Sequence, residues 1–541
     1  MKKTYTLALM GVIAAGLSSC QDLEDVNVSP NAPDNVTTNL LISGTEKYAV
    51  DYIYDNWFSG RQCLVYSQQW AQRNYTEEDR YQVRESVNNN YFNYLYRCYS
   101  NISKIIELNS DEANYDANSV YGDLDNQDNI ARILRAWVMS VITDTWGSVP
   151  YSEIGKLESE GVMYCKYDAQ ADIYAGLIKE LTEAAAALDE SKDAFTCGDN
   201  IFGGDVTKWK KFAGSLKCRL AIHLSKSDPN WKTYIAEALE SGVMESNDDG
   251  AYYTYSTSGS EYCKFYEGWY VDGRNDFTIT RELCDILKGQ PDTLNSKSHP
   301  FEGVVDPRLY VYTTGFGGKS GSDAVYQGMP YGVKSSQSSA VRNQLSTPNW
   351  YTYPPAHLAA DYAIPIMTYA EQKFIECEYN GFSADDYKAG VVASLEAWTG
   401  DADVETTYAD YLTAVTGTVN AETLALQKYI DLYLNGTEAW TEIRRTGYPE
   451  QLLRPGEIAA AYFVTDKTTK KVTEVRYYNF EPLSEVHDDI IAKVKYPTNE
   501  STLNGPNFSE ALQKYTGGSN NYYTKMIFDV RTSTYDHPSN L

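Results

Sequence analysis

The sequence predicts a mostly helical chain, built as a degenerate helical repeat with one long looped insertion and a small β-hairpin. Three observations lead there. Through much of the first half, apolar residues recur every three or four positions, the pattern of a helix with one buried face. Between residues 245 and 360 that periodicity gives way to Gly, Ser and isolated aromatics. Around residues 459–480 the period drops to two on either side of a polar turn.

The elements follow in order. Residues 1–19 read as a lipoprotein signal peptide: Lys2 and Lys3 are basic, and an apolar run spans Leu7 to Leu17. That run falls short of the roughly 20 apolar residues a membrane helix needs. Leu17-Ser18-Ser19-Cys20 sets small residues before a cysteine, the pattern of a bacterial lipoprotein cleavage site. Cys20 is therefore the expected lipidation residue, with diacylglycerol on its thiol and an acyl chain such as palmitate on its freed amine. Two or more chains anchor stably where one is marginal. Asp22, Glu24 and Asp25 resemble the surface-export signal of lipoproteins in Bacteroidetes-type bacteria. Residues 20–39 are expected to form a lipidated flexible stalk.

Residues 40–244 form the first part of the scaffold. Helical patterns cover about 40–58, 61–73 and 86–109. Ile130, Ile133, Leu134, Trp137, Val138, Val141 and Ile142 make one stripe. Ile173, Leu177, Leu181, Ala184 and Leu188 make another, with Asp168 as its expected N-cap. Trp209, Phe212, Ala213, Leu216, Leu220 and Leu224 make a third. Helices of this length with polar turns between them pack as antiparallel pairs, and no clean 34-residue period appears, hence a degenerate, TPR-like repeat. Residues 245–360 read as a loop-rich aromatic insertion, helical only at 278–288, and are the candidate ligand region. Residues 361–450 carry the last helix pair, over 366–380 and 421–447, stopped by Gly447 and Pro449. Residues 451–541 hold the hairpin around Asp466-Lys467-Thr468-Thr469, then a tail read as irregular from 496.

Composition narrows the function. The 46 basic against 74 acidic residues leave a net charge of −28, which argues against nucleic-acid binding. The 47 Tyr and 10 Trp against 15 Phe point to half-wet aromatic surfaces, since Tyr suits places with one apolar and one solvated end. No G-x-S-x-G, H-E-x-x-H, P-loop or dinucleotide fingerprint is present, so no catalysis, cofactor or metal is expected. Eight cysteines besides Cys20 fit no zinc spacing; Cys98, Cys218, Cys284 and Cys377 lie in helical patterns and read as buried thiols. His223 falls on an apolar helix face and reads as a satisfied core residue. Trp57, Trp70 and Trp137 likewise read as core, and Glu371, Glu376 and Glu378 as capping or pairing with Arg444 or Arg445.

Five segments carry a more specific signal. Asp144-Thr145-Trp146-Gly147-Ser148-Val149-Pro150-Tyr151 follows a helix as a D-x-x-G-x-V-P-Y turn. Trp209 to Ala221 reads W-K-K-F-A-G-S-L-K-C-R-L-A, and Met367 to Glu371 reads M-T-Y-A-E. Glu438-Ala439-Trp440 precedes Arg444-Arg445-Thr446-Gly447-Tyr448-Pro449, and Tyr496-Pro497-Thr498-Asn499-Glu500 precedes Asn504. In this order they resemble the SusD/RagB family of outer-membrane nutrient-binding lipoproteins, with Gly214 where that family usually has Asn. The resemblance implies a cell-surface, lipid-anchored protein on the outer membrane, capping a SusC-like, TonB-dependent transporter. It would bind a nutrient oligomer, most often a glycan and sometimes a peptide, and deliver it to the barrel without catalysis. A surface-anchored hydrolase is the less favoured alternative. The motifs themselves keep the fold; ligand contacts in this family come from variable loops.

A sugar needs an aromatic plane under its C–H face and polar partners at its edge. Three segments offer both: Asn74 and Tyr75 with Tyr81; Trp269 and Tyr270 with Asp272 and Asn275; and Asn349, Trp350, Tyr351 and Tyr353, stiffened by Pro354 and Pro355. The expectation is that the second and third share one groove, with the first near its rim.

Overall fold

The structure is a computed structural model that describes residues 36–256, 261–274, 276–315, 318–344, 359–483, 486 and 489–531. It is mostly helical, with small strand pairs. Helix α1 (Thr38–Ile53) is followed by the short strand β1 (Trp70–Gln72) and the long helix α2 (Glu85–Ser110). Then come α3 (Leu124–Trp146), α4 (Gln170–Ala187), α5 (Val206–His223) and α6 (Trp231–Ser241). Each packs on the next, α1 on α2 through to α5 on α6, as the polar turns between amphipathic stripes require. The predicted stripe from Ile130 to Ile142 is buried throughout. Asp123 and Asp205 cap α3 and α5 by accepting the amides of Asn126 and Lys208.

Two boundaries differ from expectation. Asp168 does not cap α4, whose N-cap is Ala169. Its carboxylate instead accepts the amides of Tyr151 (3.2 Å) and Ser152 (2.8 Å), holding the turn after Pro150. The stretch 61–73 is not one helix. A π-helical turn (Ser59–Cys63) and one α-turn (Leu64–Tyr66) lead into β1, because β1 has a partner far along the chain.

The region 245–360 is stitched into the scaffold by its strands. Strand β2 (Ala251–Thr254) precedes β3 (Phe277–Ile279), which pairs antiparallel with β1, Gln72 opposite Phe277. Helix α7 (Arg281–Leu287) matches the one helix read there. Helix α8 (Ser335–Gln344) does not, and packs near the C-terminal hairpin. Strand β4 (Ala363–Met367) pairs with β2. Helices α9 (Tyr369–Tyr379), α10 (Ala384–Thr399), α11 (Ala421–Asp431) and α12 (Gly436–Thr446) follow. Strands β5 (Ile458–Thr465) and β6 (Val472–Asn479) form the predicted hairpin, with Asp466 accepting the amides of Thr468 and Thr469 in its turn. The segment after 496, read as irregular, contains α13 (Gly505–Tyr515).

Charged residues inside the core tie the motifs together. Arg444 lies 3.6 Å over the Trp440 ring and donates to the carbonyls of Asp144 (2.9 Å) and Ala492 (3.0 Å). One side chain thus joins α12 to the Gly147 turn and the C-terminal segment. Arg445 bonds both oxygens of Glu378, and Arg219 grips Glu371 at 2.7 and 2.6 Å. Glu376 pairs with Lys373 rather than with an arginine of α12. Removing one partner of such a buried pair costs about 3–5 kcal/mol, because the other charge stays buried. Gly214 is where a side chain has no room: a Cβ there would sit 2.0 Å from the Gly242 carbonyl oxygen. The eight cysteines among the described residues are free, and Cys98, Cys218, Cys284 and Cys377 are buried.

Candidate functional site

The chain leaving α1 makes a sharp turn at Asp55-Asn56-Trp57-Phe58. Asp55 is half-buried, and its carboxylate turns inward to accept the amides of Phe58 (2.7 Å) and Ser59 (3.1 Å). Burial pushes its pKa up to about 7, against the lowering effect of those amides. The turn throws Trp57 outward, 43% exposed. Two guanidinium groups lie over its ring, Arg61 at 4.9 Å and Arg274 at 5.6 Å. Arg61 is itself buried, near Glu78 (3.5 Å) and Asp276 (3.8 Å), so one cation is fixed and the other reaches in from the surface.

Trp57 stands between two recesses. On one side a cleft of about 380 Å³ runs between the end of α1 and the start of α2. Ser86, Asn90 and Tyr94 line it at helical spacing, so one face of α2 presents a hydroxyl, an amide and a ring in a row. Tyr94 stacks on Tyr52 with ring centres 4.0 Å apart, and Tyr48 meets Tyr52 edge-on at 4.6 Å. On the other side a smaller recess is bounded by Lys264, Glu267, Gly268, Asp272 and Arg274. These belong to a π-helical turn (Glu267–Val271), the short helical turn that leads into it (Lys264–Tyr266) and its exit. Asn56 holds that turn by donating to the Lys264 carbonyl (2.8 Å). Gly268 lets it approach, since a Cβ there would fall 1.6 Å from the Asn56 amide nitrogen.

Of the sequence-predicted residues, Asp272 lines the recess beside Trp57. Tyr270 is 51% exposed and continues a ladder of rings, Tyr262, Tyr266 and Tyr270, spaced 5.4 and 5.1 Å. Trp269 is half-buried and packs on the core. Asn74 and Tyr75 are exposed, directly after β1, and the Arg73 amide donates to the Asp276 carbonyl. The β1–β3 pairing therefore brings the Asn74 segment beside the 269–276 segment. Tyr81 is corrected: it is 2% exposed, wedged edge-on between Tyr66 and Phe480, and offers no face to a ligand. Cys20, Asn275, Asn349, Trp350, Tyr351 and Tyr353 lie outside the described residues.

Trp57, Tyr52, Tyr94 and the two arginines were missed. The sequence pattern places Trp57 in the core, because it continues an apolar helical run; the early end of α1 at Ile53 turns it out instead. A larger cavity of about 690 Å³ runs along β5, lined by Ala459 to Thr465 with Pro330 and Val341. Tyr462 and the 47% exposed Phe463 also line it, with Arg281 and Lys467, so aromatic and cationic groups meet there too. His223, Glu438 and Glu442 are the grouping among the described residues with ligand atoms close enough to share a metal ion. Arg219, Lys428 and Arg445 already bring positive charge to these carboxylates, at 3.7, 3.4 and 2.8 Å. His223 also contacts the Tyr174 hydroxyl at 3.0 Å, as a satisfied core histidine should.

A family model described as "Starch-binding associating with outer membrane" matches residues 30–463. The chain belongs to the SusD-like family. A second model, "Susd and RagB outer membrane lipoprotein", matches residues 400–529. Among solved structures, this SusD-like protein is similar to a chitin-binding protein at 23% identity and TM-score 0.69, covering 91% of this chain and 100% of that one. It is similar to a SusD homologue from Parabacteroides distasonis at 20% identity and TM-score 0.70, covering 93% and 100%. A chitin-binding SusD homologue from Flavobacterium johnsoniae gives 20% identity and TM-score 0.68, covering 92% and 100%. No curated protein matches the chain. At these identities the structural neighbours establish the fold, which is the helical SusD-like one.

Proposed function

We propose that this SusD-like protein is an outer-membrane surface lipoprotein, anchored through Cys20, that binds a glycan and hands it to a SusC-like, TonB-dependent transporter without altering it. The observation that carries the glycan reading is the Trp57 plate, held by Arg61 and Arg274 and flanked by Tyr52, Tyr94, Asn90 and Asp272. Aromatic faces suit C–H surfaces of sugar rings, and the surrounding donors and acceptors suit their hydroxyls. Rings that turn on two torsions are ordered at low entropic cost. The family description and the two chitin-binding neighbours support the same ligand class. Among the described residues no helix is long and apolar enough to cross a membrane, so the proposed anchor is the lipid.

Binding to one glycan chain is expected in the micromolar to millimolar range, about −8 to −4 kcal/mol. Calorimetry against a panel of soluble oligosaccharides, chito-oligosaccharides included, and of peptides tests the reading. Trp57→Ala should weaken glycan binding about 30-fold, the roughly 2 kcal/mol of a central aromatic, with little change in melting temperature. Trp350→Ala tests the proposed contribution of the 349–353 loop in the same assay. Saturable binding of peptides and of no glycan would overturn the ligand class. Glycan binding indifferent to Trp57→Ala would move the site.

A further inference from the structure

Another pocket, about 260 Å³, shares no lining residue with the Trp57 cleft and lies between the Gly147 turn, the start of α4, α13 and the segment 524–527; its Trp146 backs onto Phe58 and Tyr91 of that cleft. Its lining contains three lysines, Lys493, Lys514 and Lys525, and no carboxylate. That is notable in a chain whose net charge is −28. Lys514 and Lys525 are exposed at the rim; the Lys525 Nζ donates to the Arg531 carbonyl and lies 3.9 Å from Asp529. Lys493 is 1% exposed, and its Nζ has no hydrogen-bond partner among the described residues. The Tyr496 ring lies 3.9 Å from the nitrogen. Burial without compensating charge pulls its pKa down to about 7.

The other polar groups of the lining are already engaged. Tyr496 donates to the Ser148 carbonyl and Tyr515 to that of Tyr167. Gln170 donates to Thr143 and accepts from the Ile527 amide, while Thr516 and Thr524 bond within their own turns. Among the described residues of the lining, the Lys493 ammonium is the buried side-chain group without a hydrogen-bond partner. A methionine would fill the same channel without the cost of desolvating a charge. Gly147 keeps the approach clear: a Cβ there would lie 3.3 Å from Met526 Sδ and 4.0 Å from Lys493 Cε.

We propose that this pocket binds a small dianionic oxygen ligand, a phosphate group or a dicarboxylate, with Lys493 at its floor and Lys514 and Lys525 at its rim. The charge-assisted bond from Lys493 would satisfy the unpaired donor, and the two outer lysines would attract the anion. The site is separate from the glycan cleft and does not depend on it.

The test uses the whole folded protein with inorganic phosphate, followed by phosphorus NMR line broadening, and with malonate as competitor. Saturable broadening at low millimolar phosphate is expected. Competition by malonate would assign a general dianion site; its failure would assign phosphate. Lys493→Met should weaken phosphate binding about tenfold or more while leaving the melting temperature unchanged or raised. A Lys514→Gln, Lys525→Gln double variant should weaken it several-fold; because Lys525 also donates to the Arg531 carbonyl, its melting temperature is measured alongside, and it serves if Lys493→Met fails to fold. The proposal is overturned if neither anion binds saturably, or if phosphate binding survives unchanged when Lys493 or both rim lysines are replaced.

Discussion

The two arginines that hold Trp57 differ in what each would cost to remove. Arg61 is buried between Glu78 and Asp276, whereas the Arg274 side chain is about half exposed. Arg61→Ala should lower the melting temperature, at a cost below the about 3–5 kcal/mol of a fully orphaned buried pair, because Glu78 keeps Arg84 and Asp276 keeps Arg274. Arg274→Ala should leave the melting temperature nearly unchanged and weaken glycan binding by several-fold; unaltered affinity would remove Arg274 from the site. His223 supplies a pH dependence. Burial alone would depress its pKa, but Glu438, then Asp144 and Glu442, outweigh burial and hold it above its ordinary value near 6.5. A raised folded-state pKa gives stability that is complete below the unfolded value and is lost as pH rises through the folded one. The melting-temperature gap between wild type and His223→Gln should therefore be wider at about pH 6 than at about pH 9. Equal gaps would show that the imidazole is not charged in the fold. At this scale the core was legible, since His223 sits on an apolar stripe. Trp57 was not, because the same stripe runs past the point where α1 stops. Tyr81 misleads for the converse reason: polar neighbours suggest a rim, but its ring packs edge-on against Tyr66 and Phe480, the latter about 400 residues away in sequence.

The elements most easily read were those whose stability comes from their own amphipathic face, such as α3 and α5. Helix α8 has the sequence Ser-Ser-Gln-Ser-Ser-Ala-Val-Arg-Asn-Gln, almost without a stripe. It exists because it lies against β5, a contact that local periodicity does not encode. Helix α13 did carry a signal, Pro506 in its first turn and Phe508 with Ala511 as a buried face, within a tail read as irregular. The π-helical turn at 267–271 owes its position to Asn56, some 200 residues earlier, and no reading of adjacent residues reveals that. Close packing also explains a departure from the family pattern. Because α5 presses on the end of α6 at Gly214, Gly214→Asn should destabilise by at least the 1–3 kcal/mol typical of overpacking, although Asn is the family's usual residue. Chemical denaturation measures this, and an equally stable variant would mean that the two helices move apart without strain.

For the whole molecule, the repeat scaffold, the hairpin and the family were legible because motifs from residue 144 to beyond 500 converge on shared core contacts such as Arg444. If the lipid is the anchor, Cys20→Ala should move the protein from the membrane fraction to the soluble fraction when its transporter is absent. A variant that still sediments with outer membrane in high salt would sink that reading. The antiparallel pairing of β1 with β3 also bears on how the binding site comes into being. The 380 Å³ cleft is lined by residues 52–94 alone, but the smaller recess beyond Trp57 joins residues 55–61 to 264–277, and the β1–β3 contact that fixes it closes a loop of about 200 residues, an entropic cost that local contacts cannot repay. At roughly 5–20 residues per second of synthesis, the second wall of that recess emerges some 10–40 s after the first. The early helices can collapse alone, but the Arg274 side of the Trp57 plate has to wait for the far half of the chain, so truncated products would keep helical circular dichroism while lacking that second recess.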